Sequence, residues 1–389
     1  MERLCFTLLL LFVFSLPFEN MYVVEGLGTI TKLIGFPFFI LSTFLIIKRG
    51  YVKKLSYYHL IIISFCIFGI LSFFWSINPS SSVKSISTLI QLTILLIYIS
   101  QVINNFSMLV KLLQAYVLGS TYVIIATFSS YINNLGVNGT RFSPVGFDPN
   151  ELGITIVLAL VIAWYLSLII KNKFFFLFNR FIVLTGMFAV LLTGSRTALI
   201  ALLVSGIYML FTTKPTKRKT RIVIYIARIV LILIIIRTAI HYLPESTVER
   251  LMTTSNEIQQ GGLNNRGIIW EAGFSIFKEH PLVGVGIGAF PSALYEKIGL
   301  NMVAHNVYVS ISAELGLVGF FIWIMITISS LIVIYRLNSA ERNFYLSLLV
   351  VLIIGSLTLS WEYSKITWLI FSCLASMNAL HICKHKKDY

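Results

Sequence analysis

The chain has 389 residues, of which 57% are hydrophobic and 12% charged, and its formal net charge is +15. A soluble domain cannot bury so much apolar surface, so the composition excludes a soluble globular protein and predicts an all-α, polytopic membrane protein. The basic residues cluster in short segments between apolar runs, a pattern typical of cytoplasmic loops and not of a nucleic-acid-binding face. Nucleic acid is therefore not an expected partner.

Apolar runs long enough to cross a bilayer follow one another along the chain. We predict about twelve spans, near 4–22, 27–47, 57–75, 85–103, 109–131, 152–170, 174–193, 196–213, 222–241, 316–335, 344–361 and 365–383. Lysine and arginine concentrate in alternate loops, such as 48–54 and 214–221, which places these loops and both termini in the cytoplasm. The first run lacks a small-x-small cleavage site, so we interpret it as an uncleaved span.

The spans divide the chain into three parts. Residues 1–241 hold helices one to nine, residues 242–315 form a large external loop, and residues 316–389 hold the last three helices. A second outer loop near 133–153 is rich in turn-forming residues, and its Asp148–Asn150 segment is a candidate helix cap. The four cysteines lie in apolar spans or at their ends, so we predict no disulfide, no metal site and no cofactor.

Two arginines on the external side are candidate anion ligands. Arg196 follows a Gly194-Ser195 break between two spans, where it would either bind lipid phosphates or direct its guanidinium at a lipid-linked pyrophosphate. Arg266 opens a helix-like segment, and its alternatives are a solvated loop charge or a charge compensated by an anion. The glycine run GVGIG at 284–288 lacks a preceding strand and a following lysine, so it indicates tight packing more than a nucleotide site.

His305 stands at the head of the tenth predicted span. One interpretation is a hydrogen-bonded residue at the membrane surface. The other is a general base, because a helix N-terminus favours the neutral imidazole that such a base requires. Glu314 follows nine residues later, either as a surface charge of the helix or on the same side as the histidine.

Five segments together resemble a known family, and they occur in that family's order. The chain resembles the O-antigen ligases and the polymerases of O-antigen, capsular polysaccharide and exopolysaccharide. The matching segments are WSINPSSSVKSISTLIQL (75–92), RFSPVGFDPNELG (141–153), LTGSRTALIALL (192–203), RGIIWEAGFSIFKEHPLVGVGIGAF (266–290) and AHNVYVSISAELGLVGF (304–320).

The resemblance implies site residues and a membrane. It assigns a catalytic role to His305 and pyrophosphate binding to Arg196 and Arg266, at the outer face of the bacterial inner membrane. Further candidate substrate contacts lie in the same segments: Arg141, Asn150, Trp270, Asn306 and Glu314.

The implied activity is inverting, metal-independent glycosyl transfer from a polyprenyl-diphosphate-linked oligosaccharide to a sugar hydroxyl. The implied partners are this donor, a glycan acceptor, membrane lipids, and the flippase and chain-length regulator of the same pathway. Ligases often carry a second histidine where this chain has Asn306, which favours a polymerase acting on lipid-linked repeat units. The alternatives are a ligase acting on lipid A core and, from another class, a transporter of lipid-linked sugars.

The charge asymmetry yields a direct test of topology. A cysteine introduced at Ser292 should react with an impermeant thiol reagent in intact cells or spheroplasts, whereas one at Thr216 should not, because only the first lies in an external loop. The measurement is labelling before and after lysis. The reverse pattern would overturn the assignment of both loops.

Overall fold

The computed structural model describes residues 1–24, 28–134, 141–212 and 266–385, together with positions 26, 226, 230 and 237. Apart from those last three positions, the predicted ninth span at 222–241 lies outside the described residues. So does the first part of the predicted external loop, 242–265.

Helices make up nearly all of the described chain. Numbered in order, they are α1 Glu2–Ser15, α2 Ile30–Arg49, α3 Tyr57–Leu71, α4 Pro79–Val102, α5 Phe106–Asn133, α6 Pro149–Ile169, α7 Lys173–Leu192, α8 Arg196–Thr212, α9 Arg266–Glu279, α10 Phe290–Ile298, α11 Val307–Tyr335, α12 Ser339–Ser356 and α13 Lys365–His385. Short 3₁₀ helices follow α1 (Leu16–Met21) and α3 (Ser72–Trp75).

A small hairpin precedes α2. Its strands, β1 (Val23–Val24) and β2 (Gly28–Thr29), are antiparallel, with Val23 opposite Thr29. The sequence analysis does not predict this hairpin, because two-residue strands are too short to produce a recognisable alternation of apolar and polar residues.

Nine of the described helices are long and apolar enough to cross a membrane. Two shorter apolar helices, Arg196–Met209 and Lys365–Leu380, coincide with two more of the predicted spans. The prediction of an all-α polytopic membrane protein is therefore confirmed. The predicted break between the seventh and eighth spans is also found, since α7 ends at Leu192 and α8 begins at Arg196, with Gly194 at φ 57°.

The most buried of these spans is α6, in which 83% of the apolar window is buried. It packs against α5, α7, α8 and α12. A helix that is apolar on every side is stable in such a position because each face meets a neighbour. Its first turn is capped by Asp148, whose Oδ1 accepts the backbone N–H groups of Asn150 (2.8 Å) and Glu151 (3.2 Å), as the sequence predicts.

Helices α9 and α10 and the first turns of α11 have a hydrophobic core of their own. It is distinct from the core of the bundle and contains Ile269, Ile276, Phe290, Leu294 and Val309. The polar segment predicted to lie outside the membrane thus folds around its own apolar side chains. This second core gives α9 a fixed position relative to α11.

α11 is interrupted at Gly316, where the backbone adopts φ 63° and ψ −162°. The groups freed by the interruption bond to the segment 281–286: Leu317 N–H donates to the carbonyl of Pro281 (2.8 Å), and Gly286 N–H donates to the carbonyl of Glu314 (2.9 Å). The glycine run is therefore a packing feature, as predicted. At Gly284 a Cβ would lie 2.3 Å from the carbonyl carbon of Glu314.

Replacing Gly316 with alanine should destabilise the protein. A Cβ there would lie 2.4 Å from the carbonyl oxygen of Leu282, and the positive φ is unfavourable for alanine. We expect a loss of about 1–3 kcal/mol or more in the free energy of unfolding. Gly206→Ala is the matched control, because its Cβ would have nothing within 4 Å and sits in a helix. Thermal unfolding of both variants in detergent measures the difference, and equal melting temperatures would contradict the packing argument.

Candidate active site

Four helices begin beside the residues that the sequence marks as functional. α8 begins at Arg196 and α9 at Arg266, α11 begins two residues after His305, and α6 begins directly after Asp148. Helix N-termini carry partial positive charge and free N–H groups, so each favours an anion nearby. The candidate site is therefore built largely from helix starts.

The starts of α6 and α8 are joined by a polar network. Asn150 Oδ1 accepts hydrogen bonds from Arg141 Nη2 (2.8 Å) and from Ser195 Oγ (2.9 Å). Arg141 Nε also donates to the carbonyl of Thr193 (3.1 Å). These bonds position Arg196, which is half-buried and follows Ser195 directly.

His305 has a strained backbone. Its φ is 49°, and no other non-glycine residue of the described chain has a positive φ. Such a conformation is costly for a residue with a Cβ and persists only where its surroundings impose it. The His305 N–H donates to Ser360 Oγ at 3.0 Å. Because Ser360 lies in the turn between α12 and α13, this bond fixes the His305 peptide against that turn.

Charged residues at the starts of two other helices, α9 and α6, affect the pKa of His305, which precedes α11. Burial lowers the pKa of its imidazole, the charge of Arg266 lowers it further, and the charge of Asp148 raises it. The net lowering favours the neutral imidazole, the form that can accept a proton. The structure thus brings Arg266 and Asp148 within electrostatic range of His305.

Trp270 lies one turn beyond Arg266 on α9. Its indole N–H donates to the carbonyl of Ala304 (2.9 Å), the residue before His305. This bond couples the helix that carries Arg266 to the segment that carries the histidine. The same helix face, including Gly267, Phe274 and Lys278, lines an open cavity of about 720 Å³.

Asn306 and Glu314 have polar groups engaged with the protein itself. Asn306 caps α11, with Oδ1 accepting the N–H groups of Tyr308 (2.9 Å) and Val309 (3.2 Å), and its amide donates to the carbonyl of Leu357 (3.2 Å). The buried Glu314 carboxyl accepts the N–H groups of Gly288 (2.7 Å) and Phe290 (3.3 Å). Both side chains hold segments of the site in place.

From the sequence Asp148 is predicted only as a helix cap, and Ser360 and Glu362 are not predicted as site residues. Asp148 combines the cap with an electrostatic effect on His305. Glu362 lies between two predicted spans, and an acid so close to apolar spans is a usable signal of a functional role. Among the described residues, no group of three or more His, Cys, Asp or Glu side chains is arranged to hold a metal ion.

A comparison with protein families gives one match. Residues 181–324 match the family model described as O-antigen ligase. The matched range contains Arg196, Arg266 and His305, and it confirms the resemblance found in the sequence. No curated protein matches the chain. The family indicates an activity of the O-antigen ligase or polymerase type and hence a glycosyl-transferring membrane enzyme.

The opposing effects of two neighbours on His305 can be measured directly. Arg266→Gln removes a positive charge and should raise the pKa of the imidazole, whereas Asp148→Asn removes a negative charge and should lower it. Asparagine retains the helix cap, so the second variant should fold normally. Histidine-selective NMR or the pH dependence of carbethoxylation measures both shifts.

The exposed His280, which directly follows α9, serves as the internal control, and its signal should be the same in all three proteins. Two shifts in the same direction, or none, would show that the two charges do not act on His305.

Proposed function

We propose, from the premise that the chain carries the O-antigen ligase family domain, that it is a polymerase of lipid-linked polysaccharide repeat units. Its donor would be an oligosaccharide linked to a polyprenyl diphosphate, and its acceptor a sugar hydroxyl of a second lipid-linked unit. The observation that carries the proposal is that Arg266, the first residue of a helix, lies within electrostatic range of His305, whose pKa is lowered by burial and by that arginine.

The diphosphate would bind where helix N-termini and guanidinium groups add their positive fields. Arg196 and Arg266 each lie at the first residue of a helix. A planar guanidinium forms paired hydrogen bonds with phosphate oxygens, and the free N–H groups of a first helical turn are further donors. A bound anion would compensate the unfavourable interaction between the arginine and the positive end of the helix dipole.

His305 would act on the acceptor. The neutral imidazole takes the proton of the acceptor hydroxyl while that oxygen forms a bond to the anomeric carbon of the donor. The bond between the anomeric carbon and the diphosphate oxygen breaks, and its electron pair leaves with the diphosphate, whose charge the arginines stabilise. Attack from the opposite side inverts the anomeric configuration. Because the arginines would stabilise the charge of the leaving diphosphate, this scheme assigns no step to a metal.

A ligase that transfers the glycan to a lipid A core sugar is the second candidate, since the matched family is described as O-antigen ligase. We favour the polymerase because Asn306 occupies the position where ligases often carry a second histidine. In this chain that position serves the structure, as the Asn306 side chain caps α11 and holds Leu357.

The proposed location is the outer face of the bacterial inner membrane. The distribution of lysine and arginine supports this orientation, with the candidate site on the side poor in basic loops. A flippase of the same pathway would deliver the donor to that face, and a chain-length regulator would limit the product. Membrane lipids would surround the apolar helices.

The mechanism predicts different effects on turnover and donor binding for substitutions of the histidine and of the arginines. In proteoliposomes supplied with a polyprenyl-diphosphate oligosaccharide, His305→Ala should lower turnover by about 10²–10⁴-fold with donor binding little changed, because the imidazole addresses the acceptor. Arg196→Lys should weaken both donor affinity and turnover, since lysine keeps the charge but loses the paired hydrogen bonds. Arg266→Ala should do the same more severely. Gel analysis of polymer and titration of donor binding provide the two measurements.

His280→Ala and Arg49→Lys are matched controls. His280 is exposed directly after α9, and Arg49 pairs with Glu2 at the other end of α2 from the hairpin, so both variants should polymerise normally. Polymer that forms without added lipid A core favours the polymerase, and product that requires it favours the ligase. Polymerisation by a folded His305→Ala protein at the wild-type rate would contradict the mechanism, as would loss of activity in EDTA that magnesium restores.

A further inference from the structure

Glu362 is a buried acid in the turn between α12 and α13, with 4% of its surface exposed. Its Oε1 accepts a hydrogen bond from Ser310 Oγ (2.7 Å), whereas Oε2 is buried and has no hydrogen-bond partner among the described residues. The groups with titratable protons that face it are Glu314 and Tyr363. A buried carboxyl that is only half satisfied costs free energy, so its presence requires an explanation.

The turn that carries Glu362 is bonded to the segment around His305 at three points. The carbonyl of Leu357 accepts from Asn306, the hydroxyl of Ser360 accepts from the His305 N–H, and Glu362 accepts from Ser310. Together these contacts bind residues 305–310 to one face of the turn.

The other side of the turn is anchored to the bundle. The indole N–H of the fully buried Trp368 donates to the backbone carbonyl of Glu362 at 2.8 Å. Lys365, the first residue of α13, forms an ion pair with Glu19 in the 3₁₀ helix after α1. The turn is thus a rigid part against which the His305 segment can be held.

The hydrogen bonds from this turn would maintain the left-handed backbone conformation of His305. A non-glycine residue leaves this conformation when its surroundings loosen, and the side chain then changes direction with the backbone. A displacement of about 1 Å can cost on the order of 10²-fold in rate when a group must meet its substrate in a defined geometry. The hydrogen bonds from the turn are therefore important for the direction of the imidazole.

We propose that Glu362 is a positioning residue for His305. Through its hydrogen bond with Ser310, it fixes the start of α11 against the turn 357–364 and so keeps the His305 peptide on Ser360. The effect on catalysis rests on the proposed role of His305 as the base, but the positional effect does not.

Paired substitutions test the hydrogen bond itself. Glu362→Ala and Ser310→Ala each remove it, and each should lower turnover by about 10²-fold with donor affinity unchanged. Glu362→Gln retains a carbonyl oxygen that can accept from Ser310, so it should keep turnover within about threefold of the wild type. Ser330→Ala is the matched control for Ser310→Ala, because Ser330 is a buried serine of the same helix that bonds to Tyr58 at 2.9 Å.

The positional readout uses no substrate. In Glu362→Ala and Ser310→Ala the rate of carbethoxylation of His305 and its NMR titration should change, whereas in Glu362→Gln and Ser330→Ala both should match the wild type. If His305→Ala is fully active but these signals change as expected, the proposed function fails and the positioning role stands. Unchanged His305 signals in folded Glu362→Ala and Ser310→Ala proteins would overturn the positioning role.

The ionisation of Glu362 provides a second check on its burial. Burial raises the pKa of Glu362 from its ordinary 4.5 to about 7, so the folded protein binds this proton more tightly than the unfolded chain. The stability that this group contributes is therefore full below about pH 4.5 and falls as the pH rises through 7. Glu362→Gln should make that fall in melting temperature shallower, while Ser330→Ala should leave it unchanged. A profile identical to wild type in the glutamine variant would show that the carboxyl is not held as described, and the proposal would be withdrawn.

Discussion

The segment 281–288 is the junction on which the site depends. It is a series of turns and bends at the edge of a membrane bundle, where every unpaired N–H or carbonyl is costly. On one side it bonds to the interruption of α11 at Gly316. On the other side it bonds to the first turn of α4, where Ser82 donates to the carbonyl of Ile287 (2.6 Å), and to the 3₁₀ helix after α3, where Ser72 accepts the N–H of Ile287 (3.0 Å). Helices α9 and α10 are fixed to the bundle through these bonds.

This junction explains why glycine recurs in it. Gly284, Gly286 and Gly288 all have positive φ, and a Cβ at Gly286 would lie 2.5 Å from the Cβ of Ser76. The backbones approach as closely as their hydrogen bonds require only because no side chain intervenes. The segment WSINPSSS, which belongs to one of the family-like motifs, supplies the serines on the opposite side. Its role is to hold the loop.

Hydropathy predicts the bundle because the bilayer requires long apolar helices, and turn-forming and capping residues indicate the break before Arg196 and the cap at Asp148. The partners of polar groups could not be predicted in this way. The bond between His305 and Ser360 spans 55 residues, and that between Ser310 and Glu362 spans 52. No local pattern encodes such pairs, which depend on how α12 and α13 return to the start of α11. The left-handed backbone of His305 is likewise a result of these distant contacts and not of a local preference.

The position of α6 affects how a lipid-bound molecule could approach. Neighbouring helices cover α6 on nearly every face, so the side chains of α6 fill the middle of the described part of the bundle. A long hydrocarbon tail would therefore have to remain in the bilayer beside the protein, with only its head group reaching over the start of α6. For the donor and the orientation proposed above, entry would then be sideways from the outer leaflet, with the glycan extending away from the membrane while its anchor stays in the lipid.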